Sequence, residues 1–210
     1  MRVLTRSQIL QAMDPSPWDF ANRVLYELCR KHPGHTDAGA VLAKVNFIGR
    51  TYAAAIERRR NKSSEEANND FYLSKVAPTI IRSPIDRWLR KARATRPGTS
   101  ASFELLVQVH GKTTSLFHTI SGLEKRSLAS KYLHFHVPKL FFIYDSRAVQ
   151  ALRPLSSILP RASRSAGADD NEYRKFAEKC FHLVRFCTEE FGLRPTPRQL
   201  DNLFLRVNER

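Results

Sequence analysis

Apolar residues recur along this chain at steps of three and four almost without interruption, and runs that alternate every second residue are nearly absent. A chain patterned this way buries stripes on helices and leaves no material for a sheet. Ser16-Pro17-Trp18-Asp19 places a hydroxyl, a proline and a carboxylate as a helix start does, and Ala21, Val24, Leu25 and Leu28 follow in phase, which predicts a helix over about 17–31. The same grammar stands at Ser83-Pro84-Ile85-Asp86, ahead of Trp88, Leu89 and Ala92, and at Thr196-Pro197-Arg198-Gln199, ahead of Leu200, Leu203, Phe204 and Val207. After the His32–His35 turn, Val41, Val45, Ile48, Tyr52 and Ile56 predict a long helix. Phe103, Leu106, Val107, His110 and Phe117 predict another, and Tyr173, Phe176, Ala177, Cys180, Phe181, Val184 and Cys187 a third, stopped by Gly192. The best strand signal, Leu140–Tyr144, is too short and too isolated to pair. The fold class is therefore all-α.

A length of 210 residues suits one domain or two small lobes. The pattern suggests a main helical body over 1–160 and a C-terminal helical pair over 161–210 packed on it, with polar connectors at Arg60–Ser64 and Pro160–Gly167. No repeat of solenoid length is present. Lys and Arg number 35 against 20 Asp and Glu, a formal charge of +15, and 42% hydrophobic content excludes a disordered basic tail. The charge is spread along the chain, as suits a fold that cradles a polyanion. Three cysteines, an odd count, and a start without an apolar leader point to a reducing cytoplasm, and no apolar run is long enough to span a membrane.

The stretch from Ile120 to Ala148 carries the most chemical information. It reads as a glycine turn, a helix, a proline break and an apolar approach that delivers Asp145 to the start of another helix. Between Leu105 and Pro160 the only other acid is Glu124. One reading makes Asp145 an ordinary N-cap. The other starts from the four large apolar residues before it, since a carboxylate drawn inward needs a cationic partner or a chemical role.

A glycine turn, a lysine-bearing helix and an aspartate at a helix start resemble the helix-hairpin-helix DNA glycosylases, in particular their eight-oxoguanine glycosylase-like branch. Ala129–Phe135 followed by Phe142–Arg147 carries most of the likeness, and Pro197–Asn202 echoes it. The resemblance implies an all-α fold that flips a damaged or modified nucleotide out of DNA and cleaves its base–sugar bond, with Asp145 stabilising the sugar cation and no cofactor. It implies Lys131, or in second place Lys125, as an imine-forming or positioning lysine with accompanying AP lyase activity. It places Gly122, Arg126, His134, His136, Tyr144, Ser146 and Arg147 against DNA, with Arg50 as a further phosphate contact. Gly122-Leu123-Glu124 departs from the family hairpin by placing a glutamate at the second glycine, and the chain has no four-cysteine cluster set. The small size is also compatible with defence against phage whose genomes carry modified bases.

Two other constellations offer alternatives. Arg30 and His35 match the loose arginine–histidine spacing resembling HEPN ribonucleases, which act as symmetric dimers. His110, His118, His134 and His136 lack a companion pair at metal-ligand spacing, so no metal is expected. The remaining alternative is a basic nucleic-acid-binding module without catalysis, in which Asp145 is a cap.

Overall fold

The computed structural model describes residues 4–58, 68–159 and 170–207, and among these all regular structure is helical. The helices are α1 (Arg6–Met13), α2 (Trp18–Lys31), α3 (Ala38–Thr51), α4 (Asn68–Phe71), α5 (Ala77–Arg82), α6 (Ile85–Arg93), α7 (Ser100–Ser121), α8 (Arg126–His136), α9 (Ser146–Ala151), α10 (Asn171–Phe191) and α11 (Pro197–Val207). A single π-helical turn, Tyr72–Val76, joins α4 to α5. Pro78 lies just beyond it and has no N–H to give, and the turn widens so that the Ala77 amide reaches the Tyr72 carbonyl. The connectors expected at Arg60–Ser64 and Pro160–Gly167 fall outside the described residues.

Helix α7 is the central strut: α8, α6 and α10 pack against it. Helices α2 and α3 close over α8, while α11 packs against α1 and α9 and touches α10 through Phe204 and Phe176. Phe117, Tyr132, Phe141 and Tyr173 are fully enclosed where these helices meet. Each such side chain contributes roughly 1.5–3 kcal/mol through burial of apolar surface. No described helix is long and apolar enough to cross a membrane.

The helix starts differ from one another more than their sequences do. At α11 the reciprocal box is complete, with Thr196 N–H donating to Gln199 and Gln199 N–H to the Thr196 hydroxyl. At α2 only half of it forms: Ser16 N–H donates to Asp19 at 2.6 Å, while the Ser16 hydroxyl caps nothing. At α6 the Asp86 carboxylate turns away from its own helix to accept from the His35 backbone N–H and ring. A second difference matters for the site. Helix α3 stops at Thr51, before the expected Ile56, because the chain doubles back over Gly49. A Cβ at Gly49 would lie 3.0 Å from the Ala55 backbone, and Ala53 adopts a left-handed φ of 50° in the reversal.

Three of the four buried histidines gather around α8, the fourth, His110, pairing with Asp170. His35 donates from Nδ1 to Asp86, so its Nε2 accepts from the Tyr132 hydroxyl. His134 donates from Nδ1 to the Phe141 carbonyl and accepts at Nε2 from Tyr26, and His136 donates to the Tyr132 carbonyl. Burial lowers all three, His35 and His134 to about 4 and His136 well below its ordinary value. Unfolded imidazoles take up protons near pH 6.5. Between about 6.5 and 4 the unfolded chain therefore binds more protons, and stability falls as pH falls. Asp201, raised by burial to about 6, acts in the opposite direction, but it is one carboxyl against three imidazoles. The melting temperature should drop by roughly 10 °C between pH 7.5 and 4.5. A flat profile in differential scanning fluorimetry would contradict neutral, buried rings.

Candidate functional site

The site forms where α8, the end of α3 and the start of α9 converge. Ser127, Lys131 and His134 occupy one stripe of α8 at steps of four and three. Lys131 Nζ lies 3.1 Å from Asp145 Oδ2, 2.9 Å from the Ser127 hydroxyl and 3.4 Å from the Tyr52 carbonyl, and 5.5 Å from the centre of the Tyr52 ring. The Lys131 side chain is 3% exposed and that of Asp145 29%. The ammonium is thus enclosed by three acceptors, and the carboxylate keeps one edge toward solvent. The early end of α3 makes this possible, because it presents Tyr52 as a helix C-cap whose carbonyl is available to a cation.

Asp145 is also fixed from its own helix, since Oδ1 accepts from Ala148 N–H at 2.9 Å in an extended cap conformation. What brings it opposite Lys131 is the irregular segment 137–145. Leu140, Phe141, Phe142 and Ile143 are buried there without forming a strand, and side chains bind their backbone instead. His134 donates to the Phe141 carbonyl, the Tyr173 hydroxyl donates to the Phe142 carbonyl, and Ser130 both accepts from Tyr144 N–H and donates to the Tyr144 carbonyl. Ser130 and Lys131 are neighbours on α8, and Tyr144 and Asp145 are neighbours on the segment. The Ser130 clamp therefore sets the register of the ion pair.

Around this pair lies a wider polar cluster. Asp201 of α11 is buried, and burial raises it to about 6 against the opposing pull of Arg198, with the charge of Asp145 raising it further. Arg198 bridges Asp201 to Asp19 at the start of α2. Tyr52 donates to Asn22, and Tyr26 donates to His134. No local signal in the sequence picks out the Tyr52 carbonyl, and Asp201 stood only within the Pro197–Asn202 echo of the resemblance, with no role assigned to it. Ser127 was within reach of sequence reasoning, because it stands four residues before Lys131 on the same helix face.

The remaining expected residues divide clearly. Ser146 and Arg147 are exposed in the first turn of α9 beside Asp145, and Tyr144 is half-buried with its ring edge-on to Phe176. Lys125 donates to the Arg58 carbonyl. Arg126 binds Asp170 at 2.9 Å and Glu124 at 3.1 Å. Asp170 caps α10, and although burial alone would raise it, hydrogen bonds from His110, the Tyr173 amide and Arg126 hold it at about 2. Arg126 is thus a structural cation of the α7–α8 turn. Gly122 takes a left-handed φ of 71° to end α7, and Glu124 beyond it pairs with Arg126 and His118. Arg50 pairs with Glu57, which also accepts from Tyr72.

His134 and His136 are corrected most sharply. Expected against DNA, both lie in the core with Nδ1 bound to backbone carbonyls, and neither presents an edge to a phosphate. His35 is likewise buried with both ring nitrogens occupied, so it cannot meet Arg30 across a dimer, and Arg30 pairs with Glu27. The ribonuclease alternative loses its histidine. Among the described residues no three His, Cys, Asp or Glu side chains converge as metal ligands would.

In comparison with known proteins, the chain matches no family model, no curated protein and no solved structure.

The ion pair has an asymmetric energetic signature. Removing the carboxylate leaves a buried ammonium with two neutral acceptors and uncaps α9, whereas an apolar chain in place of Lys131 leaves a carboxylate that water can still reach. Asp145→Ala should cost about 3 kcal/mol and Lys131→Met less than about 2. Urea unfolding of the two variants checks the order, and the reverse order would contradict the geometry.

Proposed function

We propose that this chain is a DNA glycosylase that uses Asp145 as a fixed anion beside the sugar of a flipped, chemically modified nucleotide. The observation that carries the reading is the Lys131–Asp145 pair, a carboxylate held by a helix cap and a buried ammonium with one edge open to solvent, in a chain of net charge +15. As the C1′–N bond breaks, its electron pair leaves with the base nitrogen and positive charge develops over C1′ and the ring oxygen. An anion that is already oriented stabilises that charge without reorganising. Water then adds to C1′ and loses a proton, the base nitrogen gains one, and the products are free base and an abasic sugar. This chemistry requires no cofactor.

Lys131 enters as a positioning residue. An ammonium whose three N–H groups face Asp145, Ser127 and Tyr52 has no lone pair with which to attack C1′. This favours simple hydrolysis over the imine route, and Lys125, turned toward Arg58, does not substitute for it. Ser146 and Arg147, exposed and next to Asp145 along the chain, are candidates for contacts to DNA.

The decisive assay incubates the purified chain with duplex and single-stranded oligonucleotides carrying oxidised purines, alkylated purines or hydroxymethylated pyrimidines, and with phage DNA rich in modified bases, then scores abasic sites. Release of at least one base is expected, with a loss of 100-fold or more in Asp145→Asn. Full activity in that variant, or no release from any substrate, would defeat the proposal and leave a binding module in which Asp145 is only a cap. Borohydride should trap no covalent adduct. Cells expressing the chain should restrict phage with modified-base genomes, and cells expressing Asp145→Asn should not.

A further inference from the structure

Helix α6 is the most one-sidedly charged element of the described surface. Between residues 82 and 96 stand Arg82, Arg87, Arg90, Lys91, Arg93 and Arg96, all exposed, and the single acid in that interval, Asp86, is bound to His35. The apolar stripe Ile85, Leu89 and Ala92 is buried against the core, which turns Arg87, Arg90 and Lys91 to the opposite face. Some surface arginines elsewhere meet acids, as in Arg30–Glu27, Arg50–Glu57, Arg174–Glu104 and Arg185–Glu189. Among the described residues Arg87, Arg90 and Lys91 have no such partner, although holding three like charges on adjacent turns of a short helix carries a repulsive cost.

Beside this face runs an open groove of about 420 Å³ between α6 and α7, lined by Ser83, Trp88, Lys112, Ser115 and Thr119 among others. Lys112 adds a cation on its far wall, and the Ser115 hydroxyl is a hydrogen-bonding group of the kind that contacts phosphate and sugar oxygens, whereas the Ser83 and Thr119 hydroxyls donate to the Ile80 and Ser115 carbonyls. We propose that α6 and this groove form a docking strip for the phosphodiester backbone of DNA, separate from the Asp145 site and independent of whether that site is catalytic. Nine residues of helix extend about 13 Å, a length over which one strand of a duplex presents roughly four phosphates. A membrane surface fits less well. A helix lying in a bilayer interface needs an apolar face to insert, and that of α6 is already buried in the protein.

The test measures binding of a fluorescent 20-base-pair duplex by anisotropy over a series of salt concentrations, using the full chain with Arg87, Arg90 and Lys91 all changed to Gln. A control variant changes Lys175, Lys179 and Arg185 of α10 to Gln, which removes the same charge elsewhere. The strip variant should bind at least tenfold more weakly at moderate salt, with the slope of log K against log salt shallower by about 2 to 3, while the control changes little. Equal weakening in both variants would overturn the proposal, since net charge alone would then account for binding. Unchanged DNA binding in the strip variant, with or without loss of binding to phosphatidylserine vesicles, would overturn it as well. Arg87, Arg90, Lys91 and Arg185 are exposed and Lys175 and Lys179 partly so, and a melting curve matching that of the parent chain verifies folding of each variant. The strip is read by duplex binding and its salt slope and the glycosylase reading by base release, so failure of the one and failure of the other are distinguishable.

Discussion

A buried ammonium facing a half-exposed carboxylate is the contact around which this molecule is arranged. Burying a cation is costly unless acceptors surround it, and Lys131 draws its three from separate parts of the chain: Ser127 on its own helix, the Tyr52 carbonyl at the end of α3, and Asp145 at the start of α9. Each acceptor depends on a backbone event. The chain must reverse over Gly49 to present Tyr52, and segment 137–145 must run irregularly, with its carbonyls bound by His134, Tyr173 and Ser130, to bring Asp145 within reach. The result is a carboxylate held in a fixed orientation with one edge toward solvent.

The fold class was legible because helical stripes are local. Tyr173, Phe176, Cys180 and Cys187 do face the core of a helix that Gly192 ends, and Asp145 does cap α9. The length of α3 was not legible. Ile56 is buried in phase with Val45 and Ile48, yet it reaches the core from a turn, because the small side chains of Ala53, Ala54 and Ala55 let the chain fold back. His134 and His136 read as surface groups for a related reason. A histidine next to a proline break looks polar until the following segment supplies carbonyls and hydroxyls to meet it, and that supply is tertiary.

The site was half legible. Lys131 and Asp145 stood out from their context, and Ser127 follows from helix geometry. The Tyr52 carbonyl, 79 residues from Lys131, and Asp201, at the far end of the chain, are joined to the pair only through packing. Lys125 and Arg126 fit a basic-turn pattern equally well, but the structure commits them to Arg58 and Asp170. The same contrast gives the basic face of α6 its interest, since among the described residues Arg87, Arg90 and Lys91 are paired with no acid, while Arg93 donates to the Pro33 carbonyl.

The proposed role of Asp145 beside a sugar cation can be tested without knowing which base a glycosylase of this kind would remove. Duplex DNA containing a protonated pyrrolidine in place of one sugar mimics the cationic intermediate, while the tetrahydrofuran counterpart has similar shape and no charge. The parent chain should bind the pyrrolidine duplex at least 100-fold more tightly than the tetrahydrofuran duplex, and Asp145→Asn should lose most of that preference. Equal affinity for the two duplexes in the parent chain would contradict the account.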